Sequence, residues 1–137
     1  MGRVFFDTRK RMHSLTGAYD VLVSDSNKEF ILNAAAGAAI ALPSAAALGE
    51  GWHCKFIVGT AFATSNWQIT ATAAVIRGVV SEAEIDDTED HPSTVAGTTI
   101  DFVHSLEKLG DYVELTCDGT NIFMNGQTAL DGAVLLA

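Results

Sequence analysis

The sequence predicts an all-β protein: a small sandwich or barrel of roughly nine or ten short, mainly antiparallel strands, preceded by an extended N-terminal arm. Three observations carry this. Short runs of alternating apolar and polar residues recur at a spacing of about 8–12 residues, separated by Gly, Asn, Asp and Ser. No helix-length segment shows apolar residues at the three-and-four spacing of an amphipathic helix. Near the end, LTCDGTNIFMNGQ (115–127) passes from strand-like alternation through Asp118-Gly119 and back into apolar residues, the signature of a hairpin. A second turn signal, Asn125-Gly126, follows within the same stretch.

Taken in order, residues 1–17 form the arm and 18–137 a single β domain, a size that suits one hydrophobic core. AYDVLVSDSNKEFIL alternates at Val21 and Val23, turns at Ser24–Asn27 and resumes at Phe30–Leu32. NAAAGAAIALPSAAAL (33–48) lies between two tendencies, because Ala favours helix and disfavours strand while Gly37 and Pro43 break a long helix. A short strand ending at Pro43 and one helical turn closed by Gly49 fit it best. GWHCKFIV is the clearest strand, with Trp52, Cys54, Phe56 and Val58 on one face and His53 and Lys55 on the other. NWQITAT and AAVIRGVVS are two more strands. SEAEIDDTEDH then carries six acidic residues within 82–90 and reads as a long polar loop. TTIDFVH and DYVELTC are strands joined by SLEKLG, a candidate helical turn, and NIFMN and TALDGAVLL end the chain.

Composition narrows the function classes. The formal charge is −9, yet residues 1–13 hold Arg3, Arg9, Lys10 and Arg11 against Asp7 alone, so the body is more acidic than the total. An acidic body disfavours nucleic acid as a partner, and a basic arm on it suits an acidic docking surface. The apolar segment 33–48 is too interrupted for a membrane span. MGRVFFDTRKRMHSL lacks the apolar core of a secretory signal, and Phe6 occupies the position where myristoylation needs Ser or Thr. Synthesis and folding in a cytosol are therefore expected, with the two cysteines, Cys54 and Cys117, as buried reduced thiols.

The search for catalytic chemistry is short. His13, His53, His91 and His104 show no metal-ligand spacing, and no nucleophile elbow or phosphate-binding glycine loop is present. The acidic run lacks the D-x-[DN]-x-[DN]-G pattern of a calcium loop. The expectation is a protein that is not an enzyme and holds no cofactor and no metal.

GDYVELTCDGTNIFMNG (110–126) resembles the closing segment of small β domains in tailed-phage virion proteins, with Val113, Leu115, Asp118, Gly119, Thr120 and Asn121 matching and Phe123 as the aromatic. Ile122 stands where that family often has an aromatic. EFILNAAAGAAIALPSAAALGEGWHCKFIVGT (29–60) is similar to an earlier block of the same domains, through Leu42-Pro43, Gly51, Phe56 and Val58. Together the two blocks cover about half of the chain. The resemblance implies a capsid decoration (cement) protein: a homotrimer that binds the major capsid protein on the capsid exterior and stabilises it, assembled in the host cytoplasm. The arm would make the contact, with Phe5 and Phe6 as anchors and Arg3, Arg9, Lys10 and Arg11 as its charges. The Ala-rich segment 33–48 would supply the trimer interface. The alternative within the same resemblance is a tail-fibre or head-fibre module that recognises cell-surface glycans, with Trp67 as a platform.

Overall fold

The alternation in GWHCKFIV becomes the longest strand among the described residues. The computed structural model of the chain describes residues 9–84 and 96–137. Its strands are β1 (Arg11–Leu15), β2 (Tyr19–Asp20), β3 (Lys28–Leu32), β4 (Ala38–Ala41), β5 (Glu50–Val58), β6 (Trp67–Thr70), β7 (Ile76–Glu82), β8 (Thr99–Phe102), β9 (Tyr112–Asp118), β10 (Ile122–Thr128) and β11 (Val134–Leu136). A 3-10 turn lies at Val23–Asp25 and one short helix, α1, at Ala45–Leu48. The strands form two sheets, one ordered β1-β3-β5-β9-β10-β7 and the other β11-β8-β6-β4-β2. The all-β sandwich is thus present, with eleven strands among the described residues.

Strand direction departs from the expectation of a mainly antiparallel fold. β1–β3, β3–β5, β2–β4, β4–β6 and β7–β10 are parallel, while β5–β9, β9–β10, β6–β8 and β8–β11 are antiparallel. The physical reason is the path of the first half. From β1 to β6 the chain crosses to the other sheet after every strand. Each return to a sheet therefore runs in the same direction as the previous visit. Parallel neighbours need a long crossover, and here the strand of the opposite sheet supplies it. The first six strands wind as a short two-sheet coil; the later strands add the β9–β10 hairpin, the antiparallel pairings of β8, and β7 in parallel on β10.

The core lies between the sheets. Phe30, Phe56, Trp67, Phe102, Ile69, Ile100, Leu115 and Ile122 are fully buried, and the rings of Phe30 and Phe56 stack with centroids 5.0 Å apart. Cys54 and Cys117 are buried free thiols, as expected. Burial pushes the Cys54 thiol well above its ordinary pKa, helped by the charge of Asp25.

The Ala-rich segment resolves into β4 and α1 on either side of Pro43. Ser44 caps α1 by accepting the Ala47 N–H at 3.2 Å. Ile40, Leu42, Ala45 and Leu48 point into the core of this chain, leaving Ala39, Ala41, Ala46 and Ala47 exposed. The linker SLEKLG forms turns rather than a helical turn. The strand expected through Val21 and Val23 stops at Asp20, because Asp25 captures the Leu22 N–H and bends the chain.

The two turn signals near the end have different fates. At Asp118 the hairpin forms, and its Oδ1 accepts the N–H groups of Thr120 at 2.8 Å and Asn121 at 2.6 Å. Those two bonds, Asn121 first, hold the Asp118 carboxyl below its ordinary pKa. Asn125-Gly126 is not a turn but lies within β10. A Cβ on Gly126 would collide with the Tyr112 carbonyl oxygen of the paired strand, so glycine is there for close approach rather than for reversal.

Candidate functional site

The N-terminal region is where the expectations are sharpest. Arg3, Phe5 and Phe6 lie outside the described residues. The arm expected over 1–17 does not extend that far, since Arg11–Leu15 is a strand laddered in register on β3, from Arg11↔Lys28 to Leu15↔Leu32. RMHSL reads as unstructured because an edge strand is half solvated, and only Leu15 of β1 is fully buried. β1 ends its sheet.

Charge gathers along this edge. Lys10 Nζ reaches Glu29 Oε1 at 2.5 Å, and Arg11 Nη1 donates to the Ser26 carbonyl at 3.1 Å. The hydrogen bond to Glu29, and then its charge, raise the Lys10 pKa. Arg9 precedes them and is exposed. Just inside, Asp25 is buried and organises the bend. It accepts from Lys28 Nζ at 2.6 Å, the Leu22 N–H at 2.8 Å and Tyr19 Oη at 2.9 Å. Burial works to raise the Asp25 pKa, but the bonds from Lys28, Leu22 and Tyr19 outweigh it and hold the carboxyl below its ordinary value. Tyr19 is pushed up, by burial first and by Asp25 second.

A concavity of about 310 Å³ opens beside β1 on the outer face of the larger sheet. Lys10, Lys28, His53 and Lys55 line it together with Glu29 and Glu114. Lys55 Nζ sits 4.0 Å above the centre of the Tyr112 ring and 3.8 Å from Glu114. His53 is held by the Gly51 carbonyl at 3.1 Å and Asn27 Oδ1 at 3.2 Å. The sequence placed His53 and Lys55 on the solvent phase of β5 correctly. It gave no sign that they meet Lys10, because that meeting depends on β1 and β3 lying beside β5.

A second concavity, about 450 Å³, is lined by Ala38, Thr64, Ser65, Asn66, Gln68 and His104. Its hydroxyls serve structure: Thr64 and Ser65 both donate to the Ala36 carbonyl. His104 Nδ1 faces its neighbour Ser105 Oγ at 3.0 Å. Among the described residues, no group of three or more His, Cys, Asp or Glu side chains is arranged to hold a metal ion. None of the described helices is long and apolar enough to cross a membrane. Glu82 and Glu84, at the start of the acidic run, tie down the chain near β11 by accepting the N–H groups of Gly132 and Asp131. The rest of the run lies outside the described residues.

Trp67 cannot be a glycan platform. It is fully buried, and its indole N–H donates to the Ala34 carbonyl at 3.1 Å. Among the described residues the exposed Phe, Tyr or Trp ring is Phe123, on the outer face of β10 opposite Thr116 and Arg77. Comparison of the chain with models of protein families, with curated proteins and with solved structures finds no match.

Proposed function

We propose that the protein is a structural virion protein that binds the outside of a phage capsid as a homotrimer and stabilises it, with the major capsid protein as its partner. One observation supports this most: three consecutive cations, Arg9 to Arg11, at the start of β1 on an otherwise acidic body. Positive charge gathered there suits an acidic partner surface. The resemblance of residues 29–60 and 110–126 to virion β domains points the same way. Residues 1–8, with Arg3, Phe5 and Phe6, would extend the contact beyond the edge. The exposed alanines of 33–48 are available to the trimer interface.

The test is co-sedimentation with assembled capsids. Deleting residues 2–8, or changing Arg9, Lys10 and Arg11 to Glu, is expected to leave folding intact and to abolish most capsid binding. Full retention of binding by both variants would reject the reading.

The glycan-binding fibre module is the second reading, and Phe123 now supports it in place of Trp67. An outer sheet face with an exposed ring beside Arg77 and Thr116 suits stacking on a sugar. Phe123→Ala lowering adhesion to host cells without changing capsid binding would favour this reading.

A further inference from the structure

We infer that the outer edge of β1 is a strand-acceptor site for an extended acidic segment of a partner protein; the inference deepens the docking role proposed above and rests on it. The polarity of the edge follows from one bond. Asn33 N–H donates to the Leu15 carbonyl at 2.8 Å, so the main-chain groups of Leu15 face β3. In a parallel ladder the N–H and C=O of one residue point to the same side, and those of the next point to the other. Met12 and Ser14 therefore turn their N–H and C=O outward, away from β3. Among the described residues no strand pairs with that side.

Edge strands are often protected by a charge lying across them. Here the two cations at the start of β1 reach back over the neighbouring strand instead, Lys10 to Glu29 and Arg11 to the Ser26 carbonyl. They leave the outward groups of Met12 and Ser14 without a strand partner among the described residues and make the entrance to that edge positive. Met12 is 62 % exposed. On the inner side His13 is half-buried, with its ring 5.0 Å from Tyr19 and 5.7 Å from Phe30. It forms the rim of the core at the open end of the coil. An added strand would lay an inward apolar side chain against that rim and its acidic residues beside Lys10 and Arg11. Main-chain bonding supplies the affinity and the charge supplies the preference.

The probe is an acetylated, amidated Glu-Val-Thr-Val-Glu peptide, with Lys-Val-Thr-Val-Lys as its control, added to the full chain. Amide exchange is read residue by residue by NMR. Without peptide, the Met12 and Ser14 amides should exchange much faster than those of His13 and Leu15. The acidic peptide should slow them, and the lysine peptide should not. Met12→Pro removes only an outward N–H, which edges tolerate, and should abolish the effect while the melting temperature stays near that of the parent. Should that variant misfold, Lys10→Glu/Arg11→Glu carries the test and should weaken peptide binding by about tenfold. Four results would overturn the inference: slow Met12 and Ser14 exchange in the free protein, no binding of the acidic peptide, equal binding of both peptides, or binding unaffected by both variants. Capsid co-sedimentation separates this from the proposed function. Peptide capture at β1 without capsid binding would sink the virion reading alone, and capsid binding that survives Met12→Pro would sink the edge alone.

Discussion

The coiled first half and the β9–β10 hairpin of this sandwich hold together in different ways. From β1 to β6, neighbours within a sheet are never neighbours in the chain, so each ladder closes a long loop. Those loops cost entropy that local contacts cannot repay. Shared core rings, Phe30 on Phe56, and the bonds to Asp25 hold this half in register. In the second half β9 and β10 are joined by a tight turn whose carboxylate satisfies two N–H groups, and their backbones approach closely at Gly126. The coil depends on burial at a distance, the hairpin on local geometry.

That contrast can be broken from either side. The largest effect is expected from Phe30→Ala, which removes the ring linking β3 to β5 and should cost about 3–5 kcal/mol. Urea unfolding followed by tryptophan fluorescence measures it, and a loss near 1 kcal/mol would mean that the coil is held by something other than its core. Next is Gly78→Ala on β7. Gly78 has φ 144°, and a Cβ there would run into the Met124 carbonyl oxygen across the parallel β7–β10 ladder. Steric overlap and backbone strain together should cost about 2–4 kcal/mol, and an unchanged urea midpoint would show that β7 is readily displaced.

The smallest effect sharpens the comparison through pH. The pKa of Asp25 is lowered in the folded state, so its stabilisation is present above the unfolded value of about 3.9 and is lost as pH falls through the folded value. Asp25→Asn should be less stable than the parent at neutral pH and should flatten the decline in stability below about pH 4. Parallel acid profiles of the two proteins would argue that Lys28 and Tyr19 do little for the coil. Asp118 has the same sign, so Asp118→Asn provides the matching measurement for the hairpin.

Strands were legible in this sequence; their neighbours were not. Trp52, Cys54, Phe56 and Val58 announce β5 because a strand with one buried face has to alternate. The same alternation appears in both sheets, so it cannot say which sheet a strand joins. For β1 to β6 the answer lies two elements away in the chain. Asn125-Gly126 misled for a related reason. The pair favours a reversal, but a glycine is equally required where two backbones crowd, and only the partner strand tells the two apart. β1 looked like a free arm because Arg11 and Met12 meet solvent and a single residue, Leu15, is sealed in the core. At the candidate site the charges were legible and their convergence was not. Lys10, His53 and Lys55 come from segments that only the coil brings side by side.

The burial of Cys54 and Cys117 gives the molecule an internal clock. Both thiols stand on inward positions of adjacent strands, β5 from the coil and β9 from the hairpin. A thiol-reactive reagent can reach them only when the sandwich parts, and the raised pKa of Cys54 slows any reaction through the closed state further. The labelling rate of each sulfur therefore counts openings of its own half, without any engineered probe. Single-cysteine variants would then report whether the two halves separate together or one after the other.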